Sequence, residues 1–409
     1  MTSHVVIIGA SLAGVSCAQR LIDSDADLHI TLISDEVDIG YDRPPLSKSL
    51  KVGEPLPLVD LDPSRKLDSD KIKLLTGNPA TSINLDAKTV EVNGIDVGFD
   101  KLVIATGARA RKLDTFNIPG APIKTLRTLA DAKEIQQIVE SKSKPRVGIV
   151  GGGFIGLELA SALSTHCSVD LFEAQKHLLS RVLPIGISSR VAARHEAAGV
   201  NLHMEAHIAR VEGDSSTVKI ELNDGQNFEF DLVVQGVGAI PNSEIAGEAG
   251  LALANGIAVN ESLQTTHPDV YAVGDCCSFP LASNGETVRL ESWRNAQEQG
   301  LHVAEQIASG EHTKFMGLPW FWSDQYDLGL QMAGWPHSEA LRVDRECGDQ
   351  HCTFELNGDH KLISVAAIGP GNSVAKDVKI CERLISAGTV LSPEDLANPD
   401  LNLKKLLKG

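Results

Sequence analysis

Two glycine-rich turns, each set between a short apolar run and a helix-like pattern, dominate the amino-acid sequence. The first spans residues 9–14 (Gly-Ala-Ser-Leu-Ala-Gly) and the second spans residues 151–156 (Gly-Gly-Gly-Phe-Ile-Gly). Glycines at this spacing let a strand turn tightly into a helix, whose free N–H groups and positive dipole end can hold a pyrophosphate. Because the turn occurs twice, the sequence predicts two separate dinucleotide-binding units.

The first turn belongs to a predicted strand–helix–strand unit. Its first strand covers residues 4–8, and its second strand, residues 29–33, ends at an acidic pair that can accept hydrogen bonds from ribose hydroxyls. Ser11 replaces the middle glycine, so a plain tight turn is the alternative, and the motif does not distinguish FAD from NAD. The cofactor-binding residues predicted here are Gly9, Ser11, Leu12, Ala13, Gly14, Asp35 and Glu36.

The second turn has all three glycines in register. It follows a predicted strand at residues 145–150, and the second strand of its unit, residues 169–172, ends at Glu173. A carboxylate there accepts hydrogen bonds from the ribose diol and repels a 2′-phosphate, which predicts NADH over NADPH; the nearby Arg181 could weaken that preference. The predicted NAD contacts are Gly151, Gly153, Phe154, Ile155, Gly156, Glu173, Arg181 and Gly238.

The repeated pattern predicts an α/β fold with two Rossmann-like domains, one inserted in the other. Each unit closes with a further strand, at residues 101–107 and 231–238, and the C-terminal region reads as antiparallel strands followed by a helix at residues 375–386. The predicted domains are a first domain formed by residues 1–113 and 244–318, an inserted domain of residues 114–243, and a C-terminal α+β domain of residues 319–409.

Charge and cysteine usage limit the possible partners. With 37 basic and 54 acidic side chains the net charge is −17, which argues against non-specific binding to nucleic acid or anionic membranes. The seven cysteines form no Cys-x-x-Cys pair and no ligand cluster with histidine, which is typical of reduced thiols rather than of a metal site. With no apolar run of about 18 residues and no targeting segment, the sequence predicts a cytoplasmic protein.

Five further motifs carry a family resemblance. In chain order they are Asp42–Lys48 (DRPPLSK), Ala105–Gly107 (ATG), Tyr271–Asp275 (YAVGD), Glu291–Trp293 (ESW) and Pro319–Gln325 (PWFWSDQ). Together they resemble the FAD-dependent NADH:ferredoxin reductases of Rieske-type aromatic dioxygenase and bacterial haem-thiolate monooxygenase systems, over essentially the full length. The resemblance implies a glutathione-reductase-like fold, FAD on the first turn, NADH on the second, a small [2Fe–2S] ferredoxin as partner, a terminal oxygenase beyond it, and a monomer.

The resemblance also implies roles for individual residues. Lys48 would favour the negative charge of the reduced flavin ring, Glu158 would face the nicotinamide carboxamide and that lysine, and Trp320 or Trp322 would lie beside the flavin and the ferredoxin-docking surface. The catalytic residues implied are thus Lys48, Glu158 and Trp320. The further FAD contacts implied are Arg43, Pro44, Lys48, Ala80, Ala105, Thr106, Gly107, Arg127, Gly274, Asp275, Ser292, Trp293 and Trp320.

Plainer interpretations stand beside these roles. Residues 43–48 could be a solvated basic loop, Glu158 could be a first-turn acid that interacts with the helix dipole, and the tryptophans, all within residues 293–335, could be core residues of the C-terminal domain. We prefer the core interpretation for Trp335.

The sequence favours hydride transfer from NADH to flavin and single-electron release to the ferredoxin. A disulfide, coenzyme A disulfide or peroxide reductase would need a reactive cysteine after the first unit, and residues 41–60 contain none. A DNA-binding flavoprotein of the apoptosis-inducing type conflicts with the acidic charge. Rubredoxin and monodehydroascorbate reductases differ only in their acceptor and remain alternatives.

Overall fold

The computed structural model describes residues 2–56, 60, 61, 67 and 69–408, and the statements below refer to these residues. The helices, in chain order, are α1 (Leu12–Ile22), α2 (Pro45–Lys48), α3 (Leu129–Glu140), α4 (Phe154–Leu163), α5 (Ile185–Ala197), α6 (Glu244–Glu248), α7 (Trp293–Ser309), α8 (Ala375–Ser386) and α9 (Pro393–Ala397).

The strands described in the first part of the chain are β1 (Ser3–Ile8), β2 (Leu28–Ile33), β3 (Ile72–Leu75), β4 (Ala80–Asn84), β5 (Thr89–Val92), β6 (Ile95–Gly98), β7 (Lys101–Ile104), β8 (Ala108–Ala110), β9 (Ile123–Thr125), β10 (Arg146–Val150), β11 (Ser168–Glu173), β12 (Asn201–Met204), β13 (Ile208–Gly213), β14 (Val218–Leu222), β15 (Asn227–Phe230), β16 (Leu232–Gln235) and β17 (Ala239–Pro241). The remaining strands are β18 (Leu253–Ala254), β19 (Gly256–Ala258), β20 (Val270–Ala272), β21 (Cys277–Pro280), β22 (Thr287–Val288), β23 (Trp320–Gln325), β24 (Leu328–Gly334), β25 (Leu341–Cys347), β26 (Gln350–Leu356) and β27 (Leu362–Pro370).

The chain divides into two compact units. The first contains Met1–Asp42, Leu58–Arg109 and Ile240–Pro319, and the second contains Arg43–Pro57, Ala110–Ala239 and Trp320–Gly409. The second unit thus includes residues 43–57, which the sequence interpretation assigned to the first domain. The division into three domains with the boundaries given above stays a prediction.

The first unit is built on a parallel sheet with strand order β20-β7-β1-β2-β3. Its central strand, β1, contributes Val5, Val6 and Ile7, all fully buried, as expected for a parallel strand with both faces covered. Helix α7 packs closely on α1, because a Cβ atom at Gly300 would lie 2.3 Å from the carbonyl oxygen of Ala13. The glycine therefore permits the two backbones to meet.

The second unit repeats this arrangement and adds an antiparallel layer. Its parallel sheet has the order β12-β11-β10-β16-β9, and β10 leads into the second glycine turn as β1 leads into the first. The antiparallel sheet, β23-β24-β27-β26-β25, packs against α8 around a core that includes Phe354, Leu356 and Leu384. The predicted fold class is confirmed by the comparisons reported below, and helix α8 has the predicted bounds, Ala375–Ser386.

Strand β23 was not predicted as a strand. It pairs with β24 through a tight turn at Tyr326, whose φ angle of +56° is left-handed. Within the described residues, the structure contains no helix of the length and apolar character needed to cross a bilayer.

Candidate active site

Two positions of the first glycine turn require glycine, because the surrounding backbone leaves no space for a Cβ atom. Gly9 has a φ of +110°, and a Cβ atom there would lie 2.1 Å from the carbonyl oxygen of Ala105. A Cβ atom at Gly14 would lie 1.9 Å from the carbonyl oxygen of Gly9. The close contact between β1, the end of β7 and the start of α1 leaves the first helical N–H groups at the carboxyl end of the sheet, where a dinucleotide pyrophosphate can bind.

The second turn has the same geometry. Gly151 also has a φ of +110°, and its Cβ atom would lie 2.4 Å from the carbonyl oxygen of Gly236, while that of Gly156 would lie 2.3 Å from the carbonyl oxygen of Gly151. The two turns are thus built alike, each against the strand that closes its unit.

The middle position explains the imperfect first motif. Gly153 and Ser11 both cap their helices with extended backbone, at φ −82° and ψ 177° for Gly153 and φ −93° and ψ −169° for Ser11. Within the described part of the chain, the nearest atom to a Cβ at Gly153 is the carbonyl oxygen of Gly236, 3.9 Å away. A side chain therefore fits at this position without strain, and Ser11 does not weaken the prediction of a binding turn.

The other residues of the first unit that were predicted to contact FAD lie near the ends of its strands and at the start of α7. Asp35 is exposed, and Glu36 accepts a hydrogen bond of 2.6 Å from the Tyr41 hydroxyl. Trp293, at the start of α7, donates to Asp42 at 2.6 Å. The other predicted residues of this unit lie at the start of β4, after β7, after β20 and at the N-cap of α7; they are Ala80, Ala105, Thr106, Gly107, Gly274, Asp275 and Ser292.

Two hydrogen bonds hold these turns. The Gly274 N–H donates to the side-chain oxygen of Gln299 at 2.7 Å, and the Thr106 hydroxyl donates to the backbone of Asn242 at 2.5 Å. The turns after β20 and β7 are thus tied to neighbouring segments of the same unit.

The acid at the end of β11 braces the second turn. One oxygen of Glu173 accepts from the Gly152 N–H at 2.7 Å, and the other accepts from the Gln175 N–H at 2.8 Å. Each carboxylate oxygen still has a free lone-pair direction for a ribose hydroxyl. Arg181 is exposed, and Gly238 has a φ of +106° after β16.

Glu158 lies at the centre of a polar cluster in the second unit, which we call the Glu158 cluster (Ser47, Lys48, Glu158, Ser323 and Asp324). The Ser47 and Ser323 hydroxyls each lie 2.6 Å from a different oxygen of Glu158. Lys48 Nζ lies 3.9 Å from Glu158 but 2.8 Å from Asp324. The structure therefore brings Lys48 and Glu158 together as predicted, with a second carboxylate closer to the lysine.

Three members of the cluster were missed by the sequence interpretation. Ser47, Ser323 and Asp324 are all within the two quoted motifs, yet none was given a role. The sequence held one signal for their role: Ser47 is adjacent to Lys48, and Ser323 and Asp324 directly follow the tryptophans.

Trp322 belongs to the surroundings of Lys48. Its indole N–H donates to Asp324 at 3.0 Å, and Lys48 Nζ lies 4.4 Å from its ring centroid, within the range of a cation–π interaction. Trp320 stacks on Trp322 with centroids 5.3 Å apart and also packs against the core of the antiparallel layer. The role predicted for Trp320 beside the flavin stays a prediction.

Two other predicted FAD residues of the second unit are joined to each other. Arg43 donates to the backbone carbonyl of Arg127 at 2.7 Å. Pro44 immediately precedes α2, the short helix that carries Ser47 and Lys48. The alternative interpretation of this segment as a solvated loop therefore does not describe residues 45–48, which form a turn of helix.

Burial controls the charge of Glu158. Its side chain is 4% exposed, and this desolvation raises the pKa of the carboxyl above its ordinary value despite the opposing effects of Lys48, Ser323 and Ser47. A carboxyl with a raised pKa binds more protons in the folded than in the unfolded chain. Its contribution to stability is therefore fully present below the ordinary value of 4.5 and is lost as the pH rises through the raised pKa.

The Glu158→Gln variant is accordingly expected to lose part of this pH dependence. We expect it to be on the order of 1 kcal/mol more stable than the wild type at neutral pH, because the amide carries no charge to desolvate. Melting temperatures measured from pH 4 upward check this, with Glu54→Gln as the control, since Glu54 is largely exposed and pairs with Lys51. If the melting temperatures of the wild type and Glu158→Gln changed with pH in the same way, the expectation would be contradicted.

The paired thiols after β20 are poorly suited to redox chemistry. Cys276 and Cys277 are both fully buried, and burial raises the pKa of each above the ordinary thiol value. Reactive cysteines need an accessible thiolate, so this pair does not support a disulfide reductase.

Two such turns, each after the central strand of a parallel sheet, define an oxidoreductase that holds two dinucleotides. The close backbone contacts at Gly9 and Gly14, and again at Gly151 and Gly156, hold each helix start at the carboxyl end of its sheet, where the free N–H groups can bind a pyrophosphate. The chain belongs to the pyridine nucleotide-disulphide oxidoreductase family, whose sequence model matches residues 3–300, and the reductase C-terminal model matches residues 320–407.

Individual relatives match over nearly the whole chain. Rhodocoxin reductase of Rhodococcus erythropolis is 33% identical, with 98% of this chain and 93% of the relative covered. The ferredoxin–NAD(+) reductase component of the anthranilate 1,2-dioxygenase system of Burkholderia cepacia is 34% identical, with 98% of each covered. The crystal structure of the covalent putidaredoxin reductase–putidaredoxin complex superposes with a TM-score of 0.91 at 32% identity, covering 99% of this chain and 98% of that one.

Proposed function

We propose that the protein is a flavoprotein reductase that passes electrons from NADH through FAD to a [2Fe–2S] ferredoxin, which in turn feeds an oxygenase. The observation that carries this proposal is the pair of glycine turns. At each turn a side chain is excluded, because an added Cβ atom would lie only about 2 Å from a backbone carbonyl oxygen. One chain with two such turns can hold both the electron donor and the flavin. The names of the relatives support the acceptor class.

FAD would be held by the first unit and NADH by the second turn. For FAD the residues of the first unit are Gly9, Ser11, Leu12, Ala13, Gly14, Asp35, Glu36, Ala80, Ala105, Thr106, Gly107, Gly274, Asp275, Ser292 and Trp293. The sequence resemblance also implies Arg43, Pro44, Lys48, Arg127 and Trp320 as FAD contacts. For NADH they are Gly151, Gly153, Phe154, Ile155, Gly156, Glu158, Glu173, Arg181 and Gly238. When bound, FAD supplies a ring that takes a hydride from NADH and gives up electrons one at a time.

The protein side chains would orient the nicotinamide ring and stabilise the negative charge that develops during the reaction. Glu158, held by Ser47 and Ser323, would accept a hydrogen bond from the nicotinamide carboxamide and fix its ring. Lys48, fixed by Asp324 and the face of Trp322, would place a positive charge where negative charge develops. Because these groups are held by the fold before the reaction, little reorganisation is needed during it.

Rapid mixing with NADH under argon tests the first half of the proposal. The flavin absorbance is expected to bleach within the mixing experiment, and a protein that stays yellow in the presence of NADH would refute the proposed electron donor. The double variant Cys276→Ala/Cys277→Ala is the control, and it should still bleach, because both thiols are buried and burial raises the pKa of each above the ordinary thiol value.

Cytochrome c reduction with added iron–sulfur partners tests the second half. We expect a [2Fe–2S] ferredoxin to accelerate the reduction and rubredoxin or monodehydroascorbate to be poorer acceptors. Faster turnover with rubredoxin would reassign the acceptor and leave the flavin chemistry unchanged.

We also propose that the first domain is formed by residues 1–113 and 244–318, the inserted domain by 114–243 and the C-terminal domain by 319–409. The proposed location is the cytoplasm, where thiols such as the seven of this chain remain reduced.

A further inference from the structure

A continuous chain of hydrogen bonds runs from Glu158 to Tyr326 within the second unit, and we call it the Glu158–Tyr326 chain. Ser323 Oγ lies 2.6 Å from Glu158 Oε1, and Gln325 Nε2 lies 3.1 Å from Ser323 Oγ. His195 Nε2 lies 2.9 Å from Gln325 Oε1, and the Tyr326 hydroxyl lies 3.3 Å from His195 Nδ1. The three inner members are at most 4% exposed, so water does not compete with these bonds.

All donors of this chain point toward Glu158. The Gln325 amide donates to Ser323, which leaves the serine hydroxyl to donate to Glu158. Because the amide oxygen of Gln325 accepts, the His195 proton belongs on Nε2, and Nδ1 accepts from the Tyr326 hydroxyl. Burial lowers the pKa of His195 below its ordinary value, which favours the neutral ring at neutral pH, and the neutral ring offers one donor and one acceptor, as this arrangement requires.

The backbone fixes the chain in place. Ser323 and Gln325 lie on β23, and the N–H of Tyr326 donates at 2.8 Å to the hydroxyl of Ser161, which is on the same helix, α4, as Glu158. The end of the β23–β24 hairpin is therefore anchored about one helical turn from Glu158.

We propose that His195 and Gln325 are positioning residues that orient the Ser323 hydroxyl toward Glu158 and thereby stabilise its ionised form, the form that accepts from the nicotinamide. The second half of this statement rests on the proposed function. The mechanism is polarisation along aligned hydrogen bonds, each of which strengthens the next in a low-dielectric interior. The mechanism involves no proton transfer along the chain, because the Gln325 amide is neither an acid nor a base.

Charged neighbours act on both ends of the chain. Lys48 and Asp324 face Glu158. Beside His195, the Arg194 guanidinium pairs with Asp327 at 2.6 Å and lies 4.2 Å from the centroid of the Tyr326 ring. Variants that leave these four charges intact therefore isolate the contribution of the neutral chain.

Infrared spectroscopy of the purified protein measures the charge of Glu158 directly. The carbonyl band of protonated Glu158 is the one that Glu158→Gln removes, and its loss with rising pH gives the titration midpoint. We expect Gln325→Leu and His195→Phe each to raise this midpoint by about half a pH unit, roughly a threefold change in the protonation equilibrium. His195→Gln should restore it, since its amide can donate to Gln325 in place of the ring Nε2.

His203→Phe is the matched control, because His203 bonds to Asp170 elsewhere in the same unit and should leave the midpoint unchanged. An unchanged midpoint in either folded variant, Gln325→Leu or His195→Phe, or equal shifts in His195→Phe and His195→Gln, would overturn the proposal. Each variant breaks the chain at a different bond and tests the proposal by itself, so one suffices if the other fails to fold. A shifted midpoint in a protein that NADH cannot bleach would refute the proposed function alone, and bleaching with an unshifted midpoint would refute the positioning role alone.

Discussion

Replacing Gly156 by alanine is expected to weaken NADH binding by about tenfold or more and to destabilise the second unit by about 3 kcal/mol. The added Cβ atom would lie 2.3 Å from the carbonyl oxygen of Gly151, and backbone cannot move aside as a flexible side chain can. The start of α4 would shift away from β10, and with it the N–H groups that are proposed to bind the pyrophosphate. Calorimetric titration with NADH and thermal unfolding measure the two effects.

Gly153→Ala is the matched control for stability. Among the described residues, its Cβ atom would have no neighbour closer than 3.9 Å, so the melting temperature of the nucleotide-free protein should stay at the wild-type value. Bound flavin should survive in both variants, because the first turn is untouched. Equal melting temperatures for Gly156→Ala and Gly153→Ala would show that backbone contact does not enforce the turn.

The second large effect is expected from Lys48→Met. If Lys48 has the proposed role, loss of the ammonium group should slow flavin bleaching by NADH about 100-fold, because a preorganised charge that stabilises the reduced ring is removed. The side chain is 14% exposed and is fixed by Asp324 at 2.8 Å and by the ring of Trp322. Single-turnover absorbance changes under argon give the rate without any contribution from the acceptor.

Lys51→Met removes a nearby lysine of the same charge and serves as the control. Lys51 is half exposed and pairs with Glu54, so its loss should leave the bleaching rate unchanged. If Lys48→Met bleached as fast as Lys51→Met, the charge of Lys48 would have no part in hydride transfer.

The sequence was sufficient for the parts of the fold that depend on local patterns. The strands that lead into both glycine turns were predicted within one residue, because a β-branched run followed by glycine is a strong local signal. The strict need for glycine at positions 14 and 156 arises from contacts with residues only five positions earlier, which a motif can encode.

The Glu158 cluster could not be predicted in the same way. Ser47 and Ser323 approach Glu158 from segments 111 and 165 residues away along the chain. A serine has no distinctive pattern, and its role becomes visible only when the fold brings it to a buried carboxylate. The resemblance identified Lys48 and Glu158 but did not indicate that Asp324 is the nearer partner of the lysine.

Strand β23 was missed for a different reason. Trp320, Phe321 and Trp322 are all half-buried, so the segment lacks the alternation of apolar and polar residues by which a strand is recognised. The tryptophans were interpreted through their possible contact with a flavin, and their pairing with β24 was overlooked.

The positions along the sequence of the strands that form each parallel sheet have a consequence for folding during biosynthesis. Every strand of the second parallel sheet lies between residues 123 and 235, whereas the first sheet needs β20, at Val270–Ala272, for its last strand, and α1 needs α7 for its cover. On the ribosome, the sheet that starts second can be finished first. The N-terminal strands remain an incomplete sheet until β20 and α7 have been synthesised. During this interval their apolar surface is exposed, and a chaperone would be most useful.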